Sequence, residues 1–185
     1  MKILGIDECG RGCLAGPVVV AGCIFQQSLS KEIISKLTDS KKLTIKAREY
    51  LYDFLIQNTI YKIEQVEASI IDEKGISFAQ KICIEKIYES LHNKADETIY
   101  DGNWDPIHQH DFKTIIKADA IIKEVSAASI IGKVYRDRLM LEYSKIYPEY
   151  SFEWHKGYGT KKHIQAIKKY GYTPIHRKSF NIRKI

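Results

Sequence analysis

The sequence has 185 residues, of which 44% are apolar and 28% are charged, and its formal net charge is +6. This length and composition can build one domain, or at most two small ones, and exclude intrinsically disordered and fibrous proteins. The longest apolar run, residues 17–25, is too short to span a membrane, so it predicts a buried strand and we expect no membrane partner.

Hydrophobic periodicity organises the first half of the chain around three strands. In order, the pattern predicts a strand at residues 2–6, a glycine-rich loop at 9–16, a strand at 17–25, a helix from Thr44 to Asn58 and a strand at 59–68. Thr44 is the expected N-cap of the helix. The predicted apolar face of this helix consists of Tyr50, Leu51, Phe54 and Leu55. Three successive strands indicate an antiparallel meander.

The second half alternates helices and strands. The pattern predicts, in order, a helix from Gly75 to about His92, strands at 97–101 and 113–118, a helix at 126–147 and a helix from Thr160 to Tyr170. The apolar face of the first of these helices is predicted to contain Phe78, Ile82, Ile84, Ile87 and Leu91. The order describes an α/β domain, with a core at residues 1–150 and a basic C-terminal helical segment at 151–185 packed on it.

Positive charge is concentrated in that C-terminal segment. Residues 151–185 hold nine lysines and arginines and a single acid, Glu153, for a net charge of +8. The same residues include several aromatic side chains: Trp154, Tyr158, Tyr170, Tyr172 and Phe180. Cations for phosphates and rings for sugars or bases indicate a surface that binds a polyanion. A solvated helix with a lysine-rich face is the alternative.

Acidic residues follow three of the predicted strands. Asp7 and Glu8 come directly after the first strand, Asp101 closes the strand at 97–101, and Asp119 follows the strand at 113–118. Adjacent carboxylates repel each other, so a pair at a strand end usually needs a cation. Oxygen ligands without a histidine or cysteine pattern favour magnesium or manganese over zinc. Two such ions could activate a water and stabilise the leaving oxygen of a phosphodiester.

The glycine-rich loop fits the same chemistry. Gly10 and Gly12 allow backbone amides to approach a phosphate or sugar closely, and Arg11 between them could anchor an anion. The loop lacks the Gly-Lys-Ser/Thr ending of a nucleotide-binding P-loop and the complete dinucleotide fingerprint, so neither of those sites is predicted.

These residues resemble the family of bacterial ribonuclease HII. The opening Gly-Ile-Asp-Glu-Cys-Gly-Arg-Gly at residues 5–12, followed by Leu-Ala-Gly-Pro-Val-Val at 14–19, is similar to the first signature of that family. Six further blocks follow in order, at residues 39–43, 100–103, 117–119, 126–138, 155–160 and 176–180. Together they span nearly the whole chain, which makes the resemblance specific.

The resemblance implies a ribonuclease H-like fold, with a mixed five-stranded sheet flanked by helices and a C-terminal helical extension. It also implies an endonuclease that hydrolyses the RNA strand of RNA–DNA hybrids and cuts duplex DNA on the 5′ side of a single embedded ribonucleotide. Two metal ions, Mn²⁺ or Mg²⁺, would assist the reaction, and the products would carry 3′-hydroxyl and 5′-phosphate ends. The enzyme would be a monomer in the cytoplasm.

The same resemblance assigns site residues. The catalytic and metal-binding acids would be Asp7, Glu8, Asp101 and Asp119. The substrate-binding residues would be Gly10, Arg11, Gly12, Lys41 and Tyr158. Within this set the Gly-Arg-Gly backbone would sense the 2′-hydroxyl, and the tyrosine would pack against the following deoxyribose.

This sequence departs from the family pattern at three positions. Cys9 and Cys13 stand where alanine and proline are usual, and Ala118 stands where glycine is usual, which affects loop stiffness and leaves the acids intact. Ribonuclease HIII is less similar, because it has a glutamate at the fourth acidic position and an additional N-terminal domain. A non-catalytic nucleic-acid-binding module and another nuclease of the same fold, such as a junction resolvase, remain alternatives.

Several further side chains carry structural expectations. No export signal is expected, because two carboxylates follow the first few residues, and the four cysteines are therefore expected to be reduced thiols. Cys23 and Cys83 are expected in the core. His155 and His176 are expected on the solvated surface unless they touch phosphate. The Arg-Asp-Arg run at residues 136–138 predicts an ion-paired cluster.

Overall fold

The computed structural model describes residues 1–38 and 40–181, and its centre is a five-stranded sheet. The strands are β1 (Ile3–Cys9), β2 (Val18–Phe25), β3 (Thr59–Val66), β4 (Glu97–Asp101) and β5 (Phe112–Ile115). Their order across the sheet is β3-β2-β1-β4-β5. The first three strands pair antiparallel, whereas β4 and β5 add to β1 in parallel. This confirms the predicted meander and the mixed five-stranded sheet.

Helices cover both faces of the sheet. They are α1 (Lys31–Lys36), α2 (Ile45–Asn58), α3 (Ala68–Lys74), α4 (Ile76–Leu91), α5 (Lys123–Ile146), α6 (Phe152–His155) and α7 (Lys161–Tyr170). Helices α2 and α5 pack on one face, in a buried cluster that includes Cys23. Helix α4 packs on the other face, in a cluster that includes Cys83, so both cysteines are in the core as expected. None of the described helices is long and apolar enough to cross a membrane.

The N-terminal turn of α5 rests directly on strand β1. A Cβ atom added at Gly5 would lie 2.3 Å from the backbone of Glu124 and Val125, so glycine is required for this approach. The helix begins at Lys123, earlier than the sequence predicted. This contact therefore sets the distance between the long helix and the strand that carries Asp7 and Glu8.

Two predicted apolar positions are on the surface. Tyr50 of α2 is 55% exposed and Phe78 of α4 is 41% exposed. The buried side of α2 is instead formed by Leu51, Tyr52 and Leu55, because contact with α5 determines which stripe of the helix is covered. Phe78 lies under the Lys74 ammonium group, 5.4 Å from its ring centre.

The C-terminal segment packs on the core through its own apolar cluster. Helix α7 contributes Ala166 and Ile167, which join Leu14 from the glycine-rich loop and Met140 from α5. Thr160 caps α7 by accepting the backbone N–H of His163, as predicted. The segment is thus held against the loop that follows β1.

Candidate active site

A cleft of about 960 Å³ lies at the end of the sheet where the parallel strands β1 and β4 terminate. Eight of the nine site residues proposed from the sequence line it: Asp7, Glu8, Gly10, Arg11, Gly12, Asp101, Asp119 and Tyr158. The side chain of the ninth, Lys41, is outside the described part of the structure, and the neighbouring Lys42 lines the cleft. The fold therefore gathers these eight residues from four separate segments of the chain around one cavity.

Three aspartates form a compact group in this cleft. Asp7 near the end of β1, Asp101 at the end of β4 and Asp119 beyond β5 each present a carboxylate oxygen, and these oxygens lie within 4.8 Å of one another. Hard oxygen donors at such spacing suit Mg²⁺ or Mn²⁺, which prefer carboxylate and water ligands. The donor set therefore fits a divalent cation.

Glu8 does not belong to this group, because neighbouring residues of a strand point to opposite faces of the sheet. Its carboxylate accepts a short hydrogen bond from the Tyr100 hydroxyl, which in turn accepts one from the side-chain amide of Gln80 on α4. Burial raises the pKa of Glu8, while the Tyr100 hydrogen bond and the charge of Arg11 oppose that rise. Glu8 is thus held from the α4 face and Asp7 from the α5 face.

Asp7 is in an environment that disfavours its charge. Burial raises its pKa well above the ordinary value, and the charges of Glu8 and Asp101 raise it further. A hydrogen bond from Ser129 of α5 and the backbone N–H of Glu8, 2.8 Å from its Oδ1, act in the opposite direction. The balance shifts Asp7 toward its protonated form, and a bound cation would oppose that shift.

Asp119 is positioned by a turn rather than by a strand. Strand β5 ends at Ile115, and Lys117 has a positive φ of 60°, so the predicted strand to residue 118 is wrong. Asp119 lies in the short 3₁₀ turn Ala118–Ala120 that follows. The backbone N–H of Lys117 donates to Asp101 Oδ1 at 2.9 Å, and this bond ties the turn to the end of β4.

The glycine loop, residues 9–16, forms another wall of the cleft. Gly10 has φ of +84°, and a Cβ there would lie 2.1 Å from Arg136 Nε, so both conformation and packing require glycine. At Gly12 an added Cβ would meet nothing within 4 Å, and Arg11 is exposed. The loop therefore rests on α5 at Gly10 and is open to a ligand at Arg11 and Gly12.

Two buried arginines hold this loop in place. Arg136 of α5 donates to the carbonyl oxygens of Ala15, Pro17 and Lys156 at 2.8–3.0 Å. Arg177 donates to the carbonyl oxygens of Gly16 and Arg11, at 3.0 and 2.8 Å. Both guanidinium groups are almost completely shielded from solvent. Their hydrogen bonds tie the glycine loop to the long helix and to the C-terminal segment.

The expected ion-paired cluster at residues 136–138 is therefore only partly correct. Arg136 bonds backbone carbonyls, whereas Asp137 pairs with Lys133 at 2.7 Å. Arg138 pairs with Glu49 and Asp53 of α2 on the surface.

Tyr158 lies in a tight turn, residues 156–160, that is bonded to the glycine loop. The carbonyl oxygen of Gly157 accepts the backbone N–H of Leu14 at 2.8 Å. Gly157 has φ of +87°, and a Cβ there would lie 2.3 Å from the carbonyl oxygen of Ala15. The Tyr158 ring is 40% exposed and faces the cleft, with Lys133 Nζ 5.9 Å from the ring centre. The Tyr158 turn and the glycine loop consequently form one connected wall.

Sequence reasoning assigned no role to two cleft residues of α5. Ser129 contacts both Asp7 and the Ser40 hydroxyl, which lies 3.0 Å away, and Lys133 follows one turn later. Their spacing of four residues places both on one side of the helix, and this was the available signal. This spacing alone does not identify cleft residues, because the sequence does not show which side of α5 covers the sheet.

Of the two loop cysteines, Cys13 is buried and Cys9 is partly buried at the edge of the cleft. Burial raises the pKa of Cys9 to about 11 and also raises the pKa of Cys13. Both are free, and their thiolate forms are disfavoured at neutral pH. The structure therefore agrees with small, unreactive side chains at these positions.

Comparison with known sequences agrees with this arrangement. The family model described as Ribonuclease HII matches residues 4–183. A ribonuclease HII of Francisella tularensis subsp. holarctica is 46% identical over 181 residues, which are 97% of this chain and 95% of that protein.

Solved structures show the same fold. The ribonuclease H2 of Pyrococcus horikoshii OT3 superposes with a TM-score of 0.80 at 28% identity and covers 100% of this chain and 96% of its own. An Archaeoglobus fulgidus RNase HII, solved in complex with PCNA, gives a TM-score of 0.81 at 26% identity over 98% and 96% of the two chains. With its carboxylate-lined cleft, ribonuclease H-like sheet and full-length sequence match, this chain belongs to the ribonuclease HII family of metal-dependent endoribonucleases, which act on RNA–DNA hybrids.

Proposed function

We propose that the enzyme also cuts duplex DNA on the 5′ side of a single embedded ribonucleotide, leaving 3′-hydroxyl and 5′-phosphate ends. The observation that carries this proposal is the composition of the cleft, which combines a carboxylate group with an open glycine loop and an exposed tyrosine. The carboxylates support hydrolysis, and the glycine loop and the tyrosine support recognition of a sugar.

The carboxylates would hold two divalent ions, Mn²⁺ or Mg²⁺. We assign Asp7, Glu8, Asp101 and Asp119 as the ligands, since each contributes oxygen donors to the cleft. When bound, the ions would supply Lewis-acid stabilisation of the phosphate and lower the pKa of an attacking water. Ser129 and Tyr100 would orient Asp7 and Glu8, so that both carboxylates are fixed before substrate arrives.

Selectivity for a ribonucleotide would come from the other wall. Backbone groups of Gly10, Arg11 and Gly12 would bond the 2′-hydroxyl and the adjacent phosphate, because the loop at Gly12 has open space in front of it. The Tyr158 ring would pack against the next sugar when that sugar is deoxyribose. Together these contacts would recognise an RNA-to-DNA junction.

Basic residues would hold the duplex across the cleft. Lys42 and Lys133 line it, and α7 carries further exposed lysines. Contacts of this kind bind phosphates without reading sequence. Lys41 remains a predicted phosphate contact. We further propose that the enzyme acts as a monomer on nucleic acid in the cytoplasm, with no membrane partner.

The test compares three labelled duplexes: DNA with one ribonucleotide, a long RNA–DNA hybrid and all-DNA. We expect cleavage of the first two only, because loss of a hydrogen bond to the 2′-hydroxyl costs about 1–3 kcal/mol before misplacement of the phosphate is counted. Tyr158→Ala should reduce junction cleavage more than hybrid cleavage, since only the junction presents a deoxyribose at that position. Tyr50→Ala, a similarly exposed tyrosine outside the cleft, is the matched control.

Two results would overturn the proposal. Equal cutting of the all-DNA duplex would indicate another nuclease of the same fold. Products that end in a 2′,3′-cyclic phosphate would rule out attack by a metal-activated water and implicate the 2′-hydroxyl as the nucleophile.

A further inference from the structure

Three histidines are buried directly behind the Tyr158 turn, contrary to the surface position expected for two of them. His155, His163 and His176 are 8%, 0% and 1% exposed. His155 Nε2 lies 2.8 Å from the carbonyl oxygen of Tyr150, and its Nδ1 accepts the backbone N–H of Gly157. Burial is tolerated because both ring nitrogens have hydrogen-bond partners.

The other two histidines form a chain of hydrogen bonds that ends at Tyr158. The backbone N–H of Thr173 lies 2.9 Å from His176 Nδ1. The two Nε2 atoms of His176 and His163 are 3.0 Å apart. His163 Nδ1 lies 2.9 Å from the carbonyl oxygen of Tyr158.

The direction of every bond in this chain is determined by its first member. A backbone N–H can only donate, so His176 Nδ1 accepts and the proton of that ring is on Nε2. His163 Nε2 must then accept that proton, which leaves its own proton on Nδ1 for donation to Tyr158. The carbonyl at the other end can only accept, so both ends require the same pair of tautomers.

The surroundings keep the two rings neutral. Burial lowers the pKa of His163 and of His176 to about 4, and the neighbouring histidines act in the same direction. His155 stacks on His163 at 4.4 Å, and the rings of Tyr150 and Tyr172 lie 5.0 and 5.6 Å from His176. The charged groups nearby, Glu153, Lys156 and Lys162, act on His155.

We propose that His163 and His176 are positioning residues for Tyr158: as neutral imidazoles of fixed tautomer, they orient the Tyr158 carbonyl and thereby the ring at the wall of the cleft. The Tyr158 N–H donates to the carbonyl of His155, and the Thr160 N–H donates to the carbonyl of Tyr158, so the histidine bond completes the fixation of this peptide. The inference rests on the proposed role of Tyr158 in junction recognition.

The experiment uses amides that replace one ring nitrogen at a time. Asparagine places its amide nitrogen near the position of Nδ1, whereas glutamine reaches the position of Nε2. His163→Asn should therefore keep the bond to Tyr158 and cleave both substrates within about threefold of the wild-type rate. His163→Gln should lose roughly tenfold in kcat/KM on the single-ribonucleotide duplex, with little change on the long hybrid.

At His176 the order of the amides should be reversed. His176→Gln can still donate to His163 and should resemble wild type, whereas His176→Asn should impair junction cleavage. This second pair keeps the proposal testable if a variant of His163 does not fold, which thermal melting would reveal. A general loss of packing would not produce opposite preferences at the two positions.

A double-mutant cycle tests whether His163 acts through Tyr158. In a Tyr158→Ala background, His163→Gln should cause no further loss on the junction substrate, because the group it positions is absent. If the loss of kcat/KM caused by His163→Gln multiplies with that of Tyr158→Ala, or is equal on the junction and the hybrid, the inference is overturned. The proposed role of Tyr158 would be unaffected by that result. If Tyr158→Ala itself leaves the junction-to-hybrid ratio unchanged, the proposed role of Tyr158 fails, and the inference falls with it.

Discussion

The two walls of the cleft are stabilised in opposite ways. The carboxylate wall brings Asp7, Asp101 and Asp119 together, and the raised pKa of Asp7 reflects burial and charge repulsion. The wall made of the glycine loop and the Tyr158 turn is held by Arg136 and Arg177, which donate to backbone carbonyls. Repulsion within the first wall would be relieved by a bound cation, whereas the second wall is held by hydrogen bonds within the chain, with only Nη2 of Arg177 among the guanidinium nitrogens of these two arginines lacking a partner in the described structure. Metal binding and sugar recognition should therefore be separable by mutation.

The largest effect is expected at the carboxylate wall. Asp101→Asn should reduce cleavage of an RNA–DNA hybrid on the order of 10³-fold or more, because it removes a ligand charge. Without metal, the variant should melt at the same or a higher temperature, since the charge of Asp101 raises the pKa of Asp7. Activity assays with a metal series and thermal melts with a chelator measure both effects.

Glu85→Gln, an exposed acid paired with Lys81 on α4, serves as the control and should keep wild-type activity. Near wild-type cleavage by Asp101→Asn would refute the ligand assignment.

A smaller but substantial effect is expected at the second wall. Arg136→Met leaves three buried carbonyl groups without their donor, so the free energy of unfolding should fall by about 3 kcal/mol. Arg138→Met, two residues away, removes surface ion pairs and should cost at most about 1 kcal/mol. Urea denaturation compares the two variants directly. Equal losses would mean that Arg136 does not hold the loops together.

In the metal-free protein, the acids of the first wall and the histidines behind the second wall should change the free energy of unfolding with pH in opposite directions. The raised pKa values of Asp7 and Glu8 mean that the folded state binds more protons, so their contribution to stability falls as pH rises above about 4. The pKa values of His163 and His176, lowered from 6.5 to about 4, mean that the unfolded state binds more protons in that interval. Their contribution rises with pH, by up to about 1.4 kcal/mol per pH unit for each histidine.

Single variants separate these slopes. Denaturant unfolding from about pH 4 to neutrality, in the presence of a chelator, measures the net slope of the unfolding free energy against pH. This slope should become more negative in His163→Asn and more positive in Asp7→Asn. An unchanged slope in His163→Asn would show that this imidazole does not titrate as its burial predicts.

Local patterns in the sequence predicted the elements that local physics determines. A continuous apolar run identified β2 and alternation identified β3. The acids at the ends of predicted strands identified Asp7, Asp101 and Asp119, because parallel strands end at the same edge of a sheet. Glycine spacing identified the loop at residues 9–16, whereas the resemblance to ribonuclease HII supplied the expected substrate contacts of that loop and of Tyr158. The structure brings both to the same cleft.

The parts that sequence reasoning missed depend on distant partners. His176 was expected at the surface, yet its ring is buried because His163 and Thr173 satisfy both nitrogens. Arg136 was expected in an ion pair, yet its donors reach carbonyls about 120 positions earlier in the chain, at Ala15 and Pro17. Periodicity carries no information about such contacts, since they depend on how the segments are assembled.

Helix α5 touches both walls and thereby sets the distance between them. Ser129 bonds Asp7 at the carboxylate wall, and Arg136, about two helical turns later, bonds the glycine loop, a separation of ~10 Å along the helix axis. One residue inserted between them would lengthen this segment by about 1.5 Å and rotate one contact by roughly 100° relative to the other. If the proposed recognition is correct, the cleaved phosphate and the recognised sugar would then no longer match neighbouring positions of one nucleic-acid strand. Under the proposed function, the length of this helical segment would fix the distance between the site of cleavage and the sugar that the enzyme recognises.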